Sequence, residues 1–229
     1  MTTLPKIKVL ATGGTIAGSS ASSTEMTGYQ AGTLGVELLL SAVPEIQKIV
    51  DISGEQISEI DSCNMTEEIW FKLANKLNAL LADDEITGVV ITHGTDTMEE
   101  TAYFLNLVLN SNKPVVLVGA MRPATAISAD GPLNLLNAVK IAIHPDSIGQ
   151  GVLVTMNDEI HSARDVTKTN TFMVNTFKAT ELGILGYIIN GEVKYYRATT
   201  RKHTTNVDLP LEHITELPQV EIIYAHANQ

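Results

Sequence analysis

Short apolar runs recur along the chain, and each stops at a loop rich in glycine, hydroxyl and acidic residues. Residues 89–92, 114–118 and 152–156 are continuously apolar or β-branched, and residues 7–11 are so apart from Lys8, as strands covered on both faces are. Between them the apolar positions return at helical spacing. Residues 34–43 predict a helix stopped by Pro44, and residues 49–52 a short strand. Ile69, Leu73, Leu77 and Leu80 follow Thr66, which suits an N-cap, with Glu67 and Glu68 in the first turn. Thr97-Met98-Glu99-Glu100 fits a capping box, opening a helix whose apolar face is Met98, Ala102, Leu105 and Leu109. Gly131-Pro132 suits the N-cap and first position of a helix over 133–143.

Strand and helix alternating in this way predict an α/β fold: an open, mostly parallel sheet with helices on both faces. The rhythm changes after Asp158. Residues 184–189 and 193–197 flank Asn190-Gly191, which predicts a β-hairpin near the C-terminal end. Residues 220–224 read as one more strand, and residues 19–24 as a polar loop.

A length of 229 residues allows one large domain or two small ones. The 26 acidic and 15 basic side chains give a net charge of −11. That argues against nucleic acid and against an anionic membrane surface as partners, since both are bound through Lys and Arg. No run of 18 apolar residues predicts a membrane span. A single cysteine, Cys63, excludes an internal disulfide and suits a reducing compartment. The first residues lack an apolar leader core, so the expected location is cytoplasmic, or periplasmic if a leader has been removed.

The candidate chemistry sits where strands end. In Thr12-Gly13-Gly14-Thr15 the glycines allow a sharp turn that presents the Thr15 hydroxyl. That hydroxyl is a candidate nucleophile if a neighbour activates it, and otherwise part of a tight turn. Neither phosphate-loop motif is completed: Ser19-Ser20 follows Gly18, and position 15 is not glycine. A nucleotide-binding domain therefore has only the architecture in its favour. His93-Gly94-Thr95-Asp96 adds a second hydroxyl and a carboxylate. Asp96 suits either an ammonium ligand or the cap of the next helix. His93 reads as a general base or a packed histidine, and Lys168 as a proton store or a surface lysine. The histidines show no metal-ligand spacing.

Together these motifs resemble the bacterial L-asparaginase family, the threonine amidohydrolases of the type II kind. The resemblance includes Thr12-Gly13-Gly14-Thr15, residues 54–57, 91–105 and 118–123, Ser128-Ala129-Asp130-Gly131-Pro132, and 164–171. It implies hydrolysis of L-asparagine to L-aspartate and ammonia through an acyl-enzyme, with no cofactor and no metal. It implies Thr15 as nucleophile, Tyr29 as its hydrogen-bonding activator, and Thr95, Lys168 and Asp96 as the proton-handling group. It also implies Ser62 and Asp96 as holders of the substrate's α-carboxylate and α-amino groups, with the main chain near Thr95 and Ala120 polarising the amide. Cys63 stands where the family usually has a substrate-contacting glutamine, so weaker side-chain contact is expected there. The resemblance further implies a homo-oligomer, a dimer of dimers. It divides the chain into an N-terminal domain over 1–205 and, over 206–229, a linker and first strand towards a C-terminal domain that this chain lacks. The expectation that follows is either an asparaginase or an amino-acid-binding fragment without turnover.

Overall fold

The computed structural model describes residues 3–20, 22–24, 30–207, 209, 211, 214, 216–225 and 227. In chain order, β1 is Lys6–Gly13, α1 Val36–Ser41, β2 Asp51–Ile60, α2 Glu67–Leu81, β3 Ile86–Thr92 and α3 Met98–Val108. Then follow β4 Val115–Val118, α4 Gly131–Ala142, β5 Val152–Met156, β6 Glu159–Ser162, β7 Val166–Lys168, β8 Phe177–Ala179, β9 Gly186–Ile189 and β10 Glu192–Tyr195. Eight strands form one sheet in the order β10-β9-β6-β5-β4-β3-β1-β2, and β7 and β8 pair separately. The half from β2 to β5 is parallel, and the half from β5 to β10 antiparallel.

The central strands β3, β4 and β5 are apolar on both faces because the sheet there has a helix layer on each, whereas the edge strand β2 is largely polar and part-exposed. Along β1, Ile7, Val9 and Ala11 point into the layer made with α1 and α4. Leu10 points the other way, into the layer made with α2 and α3. The same alternation splits β4, with Val116 and Val118 on one side and Val115 and Leu117 on the other. The α2 face comes from Leu73, Ala74, Leu77 and Leu81, and the Thr66 hydroxyl caps the helix by accepting the Ile69 N–H.

Several expectations shift. The strand expected over 49–52 lies at β2, because Ile46–Lys48 forms a 3-10 turn that ends only at Ile49. The α4 helix is capped by Asp130, one residue earlier than expected, with Pro132 inside its first turn. Thr97 stands at the α3 N-cap, yet its hydroxyl donates to the Ser62 carbonyl at 2.9 Å instead of closing a capping box. Residues 220–224 join no strand; Val220, Ile222, Ile223 and Tyr224 are 76–80% exposed. An apolar run becomes a strand only where a neighbour offers its backbone groups.

The switch to antiparallel pairing is made at Asn157-Asp158, both with positive φ (52° and 61°), which turn β5 directly into β6. The hairpin at Asn190-Gly191 has the same left-handed geometry, with φ of 53° and 78°, and joins β9 to β10 as expected.

Candidate functional site

The loops after β1, β2 and β3 meet because their strands are neighbours running in one direction. Ala11 of β1 stands opposite Thr92 of β3, so both chains leave the sheet at the same carboxyl edge. The Thr12 hydroxyl donates to the Thr92 carbonyl at 3.0 Å, and the Gly14 N–H to the Ile60 carbonyl at 2.9 Å. At Gly14 the backbone takes φ 81°, and a Cβ there would overlap the Cα and amide nitrogen of Gly94. A Cβ on Gly94 would stand 2.6 Å from the Ser62 hydroxyl oxygen. Glycine at both positions lets three loops touch backbone to backbone.

Thr15 opens the 3-10 turn Thr15–Ala17 and is buried, at 7% exposure. Next door, Thr95 is buried after β3, and Lys168 reaches it from the end of β7. The Lys168 ammonium donates to Thr95 Oγ1 at 2.8 Å and to Asp96 Oδ1 at 2.6 Å. Its side chain is 13% exposed against 56% for that of Asp96, so this lysine is largely covered and does not project freely into solvent. A buried ammonium is tolerated when it is paired and hydrogen-bonded, and both conditions hold here. The Asp96 N–H donates to the Ser62 hydroxyl at 3.1 Å, which ties the loop after β2 to the same group.

Ala120 is fully buried just beyond β4. A Cβ on Gly119 would lie 3.0 Å from the Thr95 Cγ2, and one on Gly131 would lie 3.0 Å from Ile16 and 3.4 Å from the Ala120 Cβ. The β4 loop therefore packs against both the Thr95 loop and the α4 start. Asp130 holds it there, accepting the Met121 and Arg122 N–H groups at 3.0 Å each.

Cys63 is exposed in the turn Ser62–Asn64, while its neighbour Ser62 is buried. The Asp61 carboxylate, ahead of partial desolvation and the Asp96 carboxylate, pushes the Cys63 thiol above its usual range. His93 is wholly buried. Its Nδ1 donates to the Gly94 carbonyl at 2.6 Å, and burial pulls the ring down to about 4. That favours the packed, neutral histidine over the general base. Tyr29 lies outside the described residues.

Sequence reasoning missed Glu99 and Thr167. Glu99 accepts the Thr167 hydroxyl at 2.8 Å and the Lys168 main-chain N–H. Read locally, Glu99 was one of two acids in a helix's first turn; its partner is 69 residues away, and nothing in the local pattern signals it.

A family model described as Asparaginase, N-terminal, matches residues 6–201. The chain is 55% identical over 225 residues to L-asparaginase 2 of Bacillus subtilis, and 52% identical to L-asparaginase 2 of Escherichia coli. These matches cover 98% of this chain but 60% and 64% of those proteins, so the chain spans about three-fifths of its relatives' length. The crystal structure of a probable cytoplasmic L-asparaginase from Campylobacter jejuni superposes with a TM-score of 0.96 at 52% identity, over 98% of this chain and 68% of that one. A Haemophilus influenzae relative, 56% identical and 64% covered, is named a probable periplasmic L-asparaginase. With two threonine loops on one sheet edge and a match along nearly its whole length, the chain belongs to the asparaginase family.

Proposed function

We propose that this chain carries the reacting edge of an asparaginase, which hydrolyses L-asparagine to L-aspartate and ammonia through a threonyl ester. The observation that carries the reading is Lys168, whose ammonium bridges Thr95 Oγ1 and Asp96 Oδ1 beside the loop that presents Thr15.

An unactivated amide needs a nucleophile, donors for the developing oxyanion, and a proton for the leaving nitrogen. In this reading Thr15 Oγ attacks the side-chain amide carbon. Its proton passes through the Thr95–Lys168–Asp96 group, with Tyr29 assisting, and protonates the departing nitrogen so that ammonia leaves. Water then adds to the ester carbon, the Thr15 oxygen regains a proton, and aspartate is released. Main-chain groups near Thr95 and Ala120 face the carbonyl oxygen. The Ser62 hydroxyl already accepts from the Asp96 N–H, which leaves its own hydrogen to donate to the substrate α-carboxylate. The Asp96 carboxylate, half exposed, pairs with the α-ammonium. In this reading residues 1–205 are the domain that does this, 206–229 lead towards a C-terminal domain, and the intact protein self-associates.

The test is ammonia release from L-asparagine by the 229-residue chain, alongside calorimetry with L-aspartate. Steady release that Thr15→Ala abolishes supports the reading. Aspartate binding with no release assigns the edge to amino-acid binding alone, and neither signal rejects both.

A further inference from the structure

The chain has four arginines, Arg122, Arg164, Arg197 and Arg201, and three of them line one cavity of about 300 Å³. That cavity shares no residue with the edge holding Thr15, Thr95 and Lys168. Buried Leu185 and exposed Leu182 are among its lining residues, and its three arginines are exposed. Although acids outnumber bases 26 to 15, no arginine pairs with a carboxylate among the described residues.

What holds the guanidinium groups is slight. Arg164 Nη1 donates to the Tyr103 hydroxyl at 3.4 Å, and Arg197 Nη1 to the Leu182 carbonyl. Arg201 has no partner among the described residues. The acid in the same wall, Asp165, accepts the N–H of Leu182, another lining residue, at 2.9 Å and pairs with none of the arginines. Thr199 also lines the cavity; its hydroxyl is buried and lacks a hydrogen-bond partner among the described residues. Three guanidinium groups against the single Asp165 carboxylate leave the lining with an excess of positive charge, and a bound anion offsets that excess.

We propose that this cavity is a binding site for a small oxyanion, carboxylate or phosphate, gripped by the guanidinium forks of Arg164, Arg197 and Arg201. Guanidinium is suited to both groups because its parallel N–H donors match two oxygens at once. The volume suits an ion or a short dicarboxylate, at the small end of ligand sites. The lining carries three arginines and one aspartate although the molecule as a whole is negative, and that formal excess favours anions over cations in the cavity.

Calorimetry of the 229-residue chain at low ionic strength, with inorganic phosphate in one arm and succinate in the other, tests this. Saturable binding in either arm is expected, and the arm that binds tells phosphate from carboxylate chemistry. Arg201→Ala removes a group that no atom of the described residues uses, so thermal unfolding should stay unchanged while affinity drops about tenfold or more. Arg201→Lys, which keeps the charge and loses the fork, should recover only part of it. Lys194→Ala, on the hairpin and paired with Glu192, should leave binding unchanged. No binding in either arm overturns the proposal, as does equal weakening by Arg201→Ala and Lys194→Ala. Because the readout is binding, a failed amidase assay does not affect it.

Discussion

The Glu99 carboxylate grips Lys168 through the main chain: one oxygen accepts the Lys168 N–H while the other accepts the Thr167 hydroxyl at 2.8 Å. Glu99 stands in the first turn of α3, and the loop before that helix carries Thr95 and Asp96. One helix start thus fixes both ends of the Lys168 bridge. Glu99→Ala should lower kcat for ammonia release about tenfold to a hundredfold, the loss of roughly 1.5–3 kcal/mol of charged hydrogen bonding, with little change in KM. Glu99→Gln, which keeps one acceptor oxygen, should recover part of the rate. A change confined to KM would show that Glu99 acts on substrate binding.

Lys168→Met preserves the aliphatic stem and removes the ammonium. It should reduce kcat by about a hundredfold or more, the usual range for a lost proton-transfer partner. Because the Asp96 carboxylate is half exposed, losing the pair should change stability by no more than about 1 kcal/mol. Steady-state kinetics and urea unfolding on the same sample separate the two effects.

Gly14→Ala should destabilise the fold by roughly 1–3 kcal/mol from its backbone conformation alone. The overlap with Gly94 adds to that, because backbone atoms on both sides leave no flexible group to yield. Thermal unfolding measures the loss. A variant as stable as the parent would mean that the two loops do not touch.

His93 predicts a pH dependence of stability. Its folded value, about 4, lies below the ordinary 6.5 that it regains on unfolding. Between those values the unfolded chain binds a proton that the folded chain refuses, so stability is full above pH 6.5 and is lost as pH falls towards 4. The whole effect is of the order of 3 kcal/mol. Urea unfolding at pH 7 and pH 4.5 should show a larger loss for the parent than for His93→Gln. Equal losses would place the titration elsewhere.

What could be read in advance was local. Thr66 and the spacing of Leu73 and Leu77 define α2, because a cap and a helical stripe are both written in consecutive residues. Asn190-Gly191 announces its hairpin for the same reason. The loops carrying Thr15 and Thr95 were legible as strand ends, and parallel pairing brings them together. What escaped depended on distant partners. The strands β6, β7 and β8 have three or four residues each, too few for a period to declare itself. Thr97 looked like a cap, but the Ser62 carbonyl claimed its hydroxyl. Residues 220–224 have the composition of a strand and pair with no neighbour among the described residues.

Lys168 belongs to the small β7–β8 ribbon and not to the eight-stranded sheet. Much of the connection between those two strands is exposed, including Phe172 and Met173. The exposed part of that connection can therefore change in length without unpicking any ladder of the main sheet. A designer who wants a graft point near the lysine can begin at the exposed Phe172 and Met173.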